Sequence, residues 1–235
     1  MKTTHYTVTA NLSKDYRIAL LADLHGKVPR GLLSTITEAK PDLIAIAGDL
    51  LDGTLADAPH MQPFLAELVH IAPTFYSRGN HEHYTEKDRK SIESAGVVYL
   101  TDDFYPMGEL LLGGLSSGIK EEKHRRTEKT PPPSLDFITM YKVTEGYKIL
   151  LCHHPEYYEP YIKPTGIELT LSGHAHGGQW RFFGRGVFAP GQGLFPRYTS
   201  GVHENRLVIS RGLGSHTPIP RIFNPEELVI IDIKS

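Results

Sequence analysis

The sequence predicts an α/β fold in which two β-sheets pack together and carry helices on their outer faces. Short apolar runs recur along the 235 residues, and their unbroken Leu, Ile, Val and Ala content is typical of strands covered on both faces. In the first half, segments with helical spacing alternate with these runs, as in α/β proteins. The second half has more strands, glycine and proline and fewer helices, which favours a sandwich over one doubly wound sheet.

Seven apolar runs are predicted to be strands. They are RIALLAD (residues 17–23), DLIAIAGD (42–49), PTFYSRGN (73–80), KILLCHHP (148–155), GIELTLSGH (166–174), RLVISRG (206–212) and ELVIIDI (227–233). Most of these runs end in turn residues or in side chains that can do chemistry, so the ends of the strands are where a functional site is expected.

Three segments between the early strands have the spacing of helices. GLLSTITEAK (31–40) and HMQPFLAELVHI (60–71) are the clearest, and TEKDRKSIESAG (85–96) is predicted to be a charged surface helix that ends in glycine. The later segment EYYEPYIKP (156–164) is interpreted as a short amphipathic helix that packs its tyrosines. The alternative, that these tyrosines line a substrate cleft, stays open.

The chain is predicted to form a single domain over residues 1–235, because this length buries one sizeable core and no internal repeat is visible. It carries one charged and Pro-rich loop at about residues 119–134, which includes KEEKHRRTEKTPPPS. Composition favours a solvated loop at this place, and a flap that faces the substrate is the alternative.

Composition excludes several classes of protein. The net charge of −2, from 25 Lys and Arg against 27 Asp and Glu, disfavours a general nucleic-acid binder, although a local basic patch stays possible. Cys152 is the only cysteine, so no intrachain disulfide forms. No secretory signal and no transmembrane segment is visible, so we expect a cytoplasmic protein, and a membrane-lipid substrate is less expected.

Five of the predicted strands are followed at their carboxyl ends by His, Asp or Asn. The motifs are DLH (23–25), GDLLDG (48–53), GNHE (79–82), HH (153–154) and GHAH (173–176). Each motif alone is explained equally well by a turn or a helix cap. Because ligands of open α/β sheets gather at the carboxyl ends of strands, the five together predict a metal site.

The donor types in these motifs select the metal and the substrate. Carboxylate, amide oxygen and imidazole without thiolate suit Mn²⁺, Fe or Zn²⁺ better than Ca²⁺. An extended backbone would bring residues two apart to one side, so Asp23 is expected beside His25, and His174 beside His176. Two metal ions against Asp23 and Asp49 leave net positive charge, which attracts phosphate.

In these motifs the sequence resembles the calcineurin-like metallophosphoesterase superfamily, whose pattern D-x-H, G-D-x-x-D, G-N-H-E/D, H and G-H-x-H is present here complete and in order. The elements GHAHGGQ, HHPE and ISRGLG…NPEELVIIDI further resemble its YkuE-like bacterial branch. The likeness extends from about residue 17 to residue 233. It implies a four-layer αββα sandwich of two mixed β-sheets flanked by helices.

The resemblance implies two divalent metal ions as cofactors. The first ion would be bound by Asp23, His25 and His176. The second ion would be bound by Asn80, His153 and His174. Asp49 would bridge both ions. His153 is preferred to His154 because the pattern of the branch is H-x-P, and the two exchange roles if the register shifts by one residue.

The resemblance also implies roles for three residues that are not ligands. His81 would stabilise the transition state or protonate the leaving oxygen. Asp52 and Glu82 would orient the ligands. No residue is assigned to substrate binding.

The implied activity is that of a metal-dependent phosphoric ester hydrolase, in which a hydroxide that bridges the two metals attacks phosphorus in line. The substrate would be a small phosphate monoester, diester or pyrophosphate. Two alternatives are a non-catalytic metal-binding scaffold of the same fold and a nuclease. The complete ligand set favours an enzyme over a scaffold, and the near-neutral charge disfavours a nuclease. Oligomeric state and metal identity stay open.

Overall fold

Two six-stranded β-sheets form the centre of the protein. The computed structural model describes residues 1–117, 130–215 and 219–235. The strands are β1 (Lys2–Thr9), β2 (Tyr16–Leu21), β3 (Leu43–Ala47), β4 (Thr74–Ser77), β5 (Val98–Leu100), β6 (Asp103–Met107), β7 (Leu110–Leu115), β8 (Tyr147–Cys152), β9 (Leu169–Ser172), β10 (Arg181–Phe182), β11 (Arg185–Gly186), β12 (Phe188–Ala189), β13 (Gly193–Leu194), β14 (Gly201–His203), β15 (Leu207–Ile209) and β16 (Glu227–Lys234). The helices are α1 (Leu32–Ala39), α2 (Met61–Ile71), α3 (Glu86–Ser94) and α4 (Leu135–Tyr141).

Both sheets mix parallel and antiparallel pairs. The first has the order β1-β16-β2-β3-β4-β5, in which only β16 and β2 run antiparallel. The second has the order β14-β15-β9-β8-β7-β6, with antiparallel pairs at its two edges. Strands β2, β3 and β4 are therefore parallel neighbours in one sheet, and β8 and β9 are parallel neighbours in the other.

The central strands of both sheets are apolar because both of their faces are covered. In β2, Ala19 and Leu21 pack in the cluster that contains the apolar residues of α1, α2 and α3. Ile18 and Leu20 point the other way, into the cluster shared with the second sheet. Helix α4 covers the outer face of that sheet through a third cluster. The predicted four-layer α/β sandwich of two mixed sheets flanked by helices is confirmed.

The structure has a strand in each of the seven predicted runs and a helix in each of the three predicted segments. The seven predicted runs do not include β1, β5, β6, β7 or the short strands β10 to β14, and α4 is not among the predicted helices. Strand β1 was missed because it is a polar edge strand without an apolar run. Helix α4 was missed because its 7 residues are too few for a periodic pattern. None of the helices in the described residues has the length and apolarity needed to cross a lipid bilayer.

The tyrosine-rich segment forms consecutive short helical turns, and Tyr157 and Tyr158 are buried in the cluster beneath α4. Packing therefore explains these two tyrosines, as the sequence indicated. Most of the predicted loop at about 119–134 lies outside the described residues. Its last residues, 130–134, are irregular, and Ser134 accepts a hydrogen bond from the backbone N–H of Phe137 to cap α4.

Gly114 lets the two sheets approach each other. A Cβ atom at this position of β7 would lie 2.5 Å from the carbonyl oxygen of Leu100 in β5. We predict that Gly114→Ala destabilises the protein by about 1–3 kcal/mol, since one methyl group must push two backbones apart. Urea unfolding measures this loss. Val143→Ala, at a side chain that is 73% exposed, is the control. Equal stability of both variants would contradict the close approach of the two sheets at Gly114.

Candidate metal centre

The predicted ligands lie where five strands of the two sheets end. Strands β2, β3 and β4 of the first sheet and β8 and β9 of the second are each followed by at least one of them. In chain order the ligands are Asp23, His25, Asp49, Asn80, His153, His174 and His176. The backbone N–H of His174 donates to both carboxylate oxygens of Asp23, at 3.0 and 3.1 Å, so the two sheets are joined at this edge.

Most of these side chains extend from strained backbone. Five of the seven predicted ligands have φ angles in the left-handed region, which residues other than glycine rarely adopt. The values are 53° for Asp23, 49° for His25, 50° for Asp49, 66° for His174 and 44° for His176. Such strain concentrates at functional sites, where the surrounding structure holds it in place.

The expected extended backbone is therefore wrong at both motifs. Strands β2 and β9 end at Leu21 and Ser172, and the residues that follow turn instead of continuing straight. In DLH this turn still brings Asp23 and His25 together. In GHAH the turn sends the two histidines into different clusters, so the expectation that they lie side by side is corrected.

Glycines make room for the ligands. A Cβ atom on Gly48 would lie 2.4 Å from Nδ1 of His153, and one on Gly79 would lie 2.2 Å from Oδ1 of Asp49. A Cβ atom on Gly173 would lie 2.8 Å from Oδ2 of Asp23. The glycines in the motifs thus allow the backbone of one strand end to touch the side chain of another.

One cluster of donors contains Asp23, His25 and His176, with one candidate atom from each residue within 4.8 Å of the others. Nε2 of His176 lies 3.5 Å from Oδ1 of Asp23 and 3.3 Å from Nε2 of His25. Burial lowers the pKa of His176 to about 4, so its ring is neutral at pH 7 and has a lone pair to offer.

A second cluster contains Asp49, His153 and His174, again within 4.8 Å. Nε2 of His153 lies 3.1 Å from Oδ2 of Asp49. Burial opposes the charge of His153, but the carboxylate of Asp49 outweighs it and raises the pKa of His153. Asp49 also lies 3.9 Å from Nε2 of His25, so this single carboxylate reaches imidazoles of both clusters.

The buried donors fit metal ions better than they fit each other. Oδ2 of Asp49, Oδ1 of Asn80 and Nε2 of His153 are all buried, and none has a hydrogen bond within the described parts of the chain. Although Asp49 and His153 are 3.1 Å apart, their geometry is that of an ion pair without a hydrogen bond. Buried polar atoms normally have partners, and a divalent cation satisfies three such donors at once.

Asp52 connects the first cluster to His81. Its Oδ1 atom lies 2.8 Å from Nδ1 of His25 and 3.2 Å from Nδ1 of His81. Burial opposes the protonation of His81, yet the hydrogen bond to Asp52 and the charge of Asp49 raise its pKa above the ordinary value. The raised pKa favours the imidazolium form of His81, and the carboxylate of Asp52 holds this ring beside the cluster.

Glu82 joins the turns after β3 and β4. Its buried carboxylate accepts hydrogen bonds from the backbone N–H groups of Leu50 and Gly79 and from the hydroxyl of Tyr76. Burial and the nearby charge of Asp49 raise the pKa of Glu82 to about 7. Glu82 therefore fixes the backbone that carries the donors and does not itself belong to either cluster.

Arg221 is a contact of the site that the sequence did not reveal. Its guanidinium Nη2 atom lies 3.0 Å from Nδ1 of His176 and also donates to the carbonyl oxygen of Gly214. Because a guanidinium only donates, Nδ1 accepts in this arrangement and Nε2 carries the proton. A cation held at Nε2 would require the other tautomer, in which Nδ1 carries the proton and does not accept from Arg221. No sequence motif marks Arg221, which lies far from GHAH in the chain.

Glu156 is the second contact that the sequence analysis did not identify. Its Oε1 atom lies 3.3 Å from Nδ1 of His154 and 3.7 Å from Nε2 of His174, and it accepts a hydrogen bond of 2.7 Å from Thr130. Burial opposes ionisation of Glu156, but the adjacent histidines lower its pKa. The other ring nitrogen of His154, Nε2, lies 2.7 Å from the hydroxyl of Ser117. The HHPE motif could have indicated Glu156, since a carboxylate next to ligating histidines commonly orients them.

We predict that Glu156→Gln weakens Mn²⁺ binding about 10–100-fold, because the amide keeps the shape but removes the negative charge that holds the His174 ring. Calorimetric titration of the metal-free protein with Mn²⁺ measures the affinity. Glu38→Gln makes the same chemical change at an exposed position of α1 and serves as the control. Equal affinity of both variants would show that Glu156 does not act on the metal centre.

Known proteins resemble this chain in sequence and in fold. The family model for the calcineurin-like phosphoesterases matches residues 16–178. Phosphodiesterase YaeI of Escherichia coli is 31% identical over 85% of this chain and 76% of its own length. The uncharacterized metallophosphoesterase YkuE of Bacillus subtilis is 28% identical over 100% of this chain and 86% of its own length.

A further relative, an uncharacterized metallophosphoesterase of Campylobacter jejuni, is 29% identical over 95% of this chain, which spans only 60% of that protein. A solved crystal structure that is 13% identical covers 86% of this chain and 91% of its own with a TM-score of 0.55, which shows a shared fold. These comparisons confirm the resemblance inferred from the motifs and the predicted class, a metallophosphoesterase domain.

Proposed function

This chain belongs to the calcineurin-like phosphoesterase family, and we propose that it hydrolyses a phosphate ester at a centre of two divalent metal ions. The position of Asp49 carries this proposal. Its Oδ2 atom is buried, lies 3.1 Å from Nε2 of His153 in one cluster and 3.9 Å from Nε2 of His25 in the other. A carboxylate shared between two donor sets is the feature that a bridged pair of ions requires.

We assign the ligands by cluster. The first ion would be bound by Asp23, His25 and His176. The second ion would be bound by Asn80, His153 and His174. Nε2 of His153 faces the carboxylates of both Asp23 and Asp49, which supports His153 as the ligand in place of His154. Divalent ions held there supply Lewis-acid polarisation of the phosphoryl group and lower the pKa of a water to near neutrality.

The metal is proposed to be Mn²⁺, Fe or Zn²⁺, because every donor in the two clusters is oxygen or nitrogen. The only thiol does not join them. Cys152 is buried, burial raises the pKa of its thiol, and Sγ donates to the carbonyl oxygen of His154. A soft-metal site of thiolates is therefore not part of the proposal.

His81 is proposed to donate a proton to the leaving oxygen or to stabilise charge on the phosphoryl group. The contact with Asp52 orients its ring, and the raised pKa favours the protonated form, which can donate. Asp52 also contacts His25, so one carboxylate fixes the position of the proposed acid relative to the first cluster. The ring of His81 lies edge-on to that of His25, with centroids 5.1 Å apart.

The proposed substrate is a phosphodiester, and a monoester or pyrophosphate is the alternative. The likeness to a protein named phosphodiesterase YaeI supports the diester. Two bound dications exceed the charge of the carboxylates of Asp23 and Asp49, which gives the centre the positive charge that attracts phosphate. The remaining alternatives are a scaffold that binds metal without turnover and a nuclease, which would bind DNA in a salt-sensitive manner.

We expect Asp49→Asn to lower metal-dependent hydrolysis by at least about 100-fold, since Asn cannot supply the shared negative charge. The assay removes metal from the protein, restores Mn²⁺ and compares bis-p-nitrophenyl phosphate with p-nitrophenyl phosphate. Faster cleavage of the diester supports the proposed substrate class. Asp103→Asn, at an exposed position of β6, is the matched control. Undiminished turnover by Asp49→Asn would place the reaction elsewhere, and bound metal without any turnover would favour the scaffold.

We expect His81→Ala to lower kcat by about 10²–10⁴-fold while the number of bound metal ions stays the same. A lower kcat with an unchanged number of metal ions is expected of a residue that acts on the substrate and does not bind metal. His83→Ala, two residues further on at an exposed side chain, should leave kcat unchanged. Loss of metal together with kcat in His81→Ala would contradict the proposed role.

A further inference from the structure

Three phenylalanines combine two unfavourable properties. Phe183, Phe195 and Phe223 have φ angles of 50°, 51° and 51°, in the left-handed region that bulky residues avoid. They are also the most exposed aromatic side chains of the described residues, since Phe183 is fully exposed and the other two are 78% and 77% exposed. Neither packing nor turn preference explains a phenylalanine at such a place, where asparagine or glycine is favoured.

The turn at Phe183 shows this most clearly. Phe183 and Gly184 are the two residues between β10 and β11, and both have positive φ, as in a type I′ hairpin turn. The first central position of such a turn is normally Asn, Asp or Gly. Here the tip of the hairpin instead presents an aromatic ring to solvent, beside the exposed Phe182.

The exposed aromatic side chains stand on neighbouring turns whose backbones are joined. The ring of Phe182 lies 5.9 Å from the ring of Phe223, and Trp180 pairs with Ile222. The backbone N–H of Phe195 donates to the carbonyl oxygen of Val187, and the N–H of Val187 donates to the carbonyl oxygens of Gly178 and Trp180. We name this surface the aromatic rim and define it by its exposed apolar residues, which are Trp180, Phe182, Phe183, Phe188, Leu194, Phe195 and Phe223.

The aromatic rim adjoins the metal centre. It begins four residues after His176, a proposed ligand, and the side chain of Asn224 donates to the carbonyl oxygens of His176 and Gln179. Arg221, two residues before Phe223, contacts the His176 ring. Whatever covers the aromatic rim therefore lies next to the site.

The segment that carries most of the aromatic rim has a positive net charge. Residues 177–203 contain three arginines and no Asp or Glu. Arg181 is used within the fold, where it donates to the carbonyl oxygen of Gly177, and Arg197 pairs with Glu159. Arg185 is exposed directly across the hairpin from Phe182, so an aromatic and a cationic side chain stand together at the tip.

We propose that the aromatic rim docks the protein onto the surface of an anionic lipid bilayer. Aromatic rings on separate turns, accompanied by arginine, match the headgroup region, where rings insert and cations meet anionic lipid. A protein partner would require a continuous, shaped apolar face, whereas these rings stand on the separate turns at Phe183, Phe195 and Phe223. Docking of this kind needs no membrane-spanning helix.

The test uses co-sedimentation of the full chain with phosphatidylcholine vesicles that contain or lack phosphatidylserine. The combined variant Phe183→Asn, Phe195→Asn and Phe223→Asn should bind at least about tenfold more weakly, because three rings no longer insert. Asparagine suits the left-handed backbone, so the Tm of this variant should equal or exceed that of the unmodified protein. A merely structural role of the three rings would instead lower the Tm.

Arg185→Gln tests the contribution of charge. It should weaken binding to vesicles with phosphatidylserine about fivefold and leave binding to phosphatidylcholine alone unchanged. Val143→Asn replaces an exposed apolar residue outside the aromatic rim. It should change binding to neither kind of vesicle.

Three results would overturn the proposal. The first is that the unmodified protein binds neither kind of vesicle. The second is that the triple variant binds as tightly as the unmodified protein. The third is a dimer in solution that the triple variant converts to a monomer, which would assign the aromatic rim to a second copy of the chain.

Discussion

Two buried carboxylates at the edge shared by the sheets, those of Asp23 and Asp49, are the constraint on which the rest of the structure depends. A buried charge without a partner is costly, and the described residues place the imidazoles of His25 and His153 beside Asp49. Their geometry leaves Oδ2 of Asp49 and Nε2 of His153 without hydrogen bonds. A divalent cation would balance the charge and pair with both atoms, and this is the reason for the proposal of one ion on each side of Asp49.

The need to hold these buried carboxylates explains why strained backbone is concentrated at the proposed ligands. Eight of the thirteen non-glycine residues with positive φ in the described chain are either proposed ligands or the three exposed phenylalanines. Strain persists only where the surroundings enforce it, and the surroundings of the ligands are parallel strands closed by Glu82 and by tightly packed glycines. Among the described residues the three phenylalanines stay at least 77% exposed, although the ring of Phe223 contacts that of Phe182. We therefore attribute their strain to the proposed membrane contact.

The sequence reveals the parts of the fold and site that depend on local pattern. The apolar run of β2 and the motif DLH indicate a strand with donors at its end, and both are found there. The direction of each side chain could not be predicted in the same way, because left-handed turns set it. At His174 no residue pattern indicates such a turn. Arg221 was missed for a related reason, since tertiary contacts bring it to His176 from a distant part of the chain.

The central claim is that Asp49 stands between two metal ions. The most direct measurement is the number of Mn²⁺ ions that the metal-free protein binds, determined by native mass spectrometry on the unmodified chain and on Asp49→Asn. The account predicts two ions in the unmodified chain and fewer in the variant, with both proteins folded. A folded, unmodified chain that binds one ion or none at saturating Mn²⁺ would contradict it.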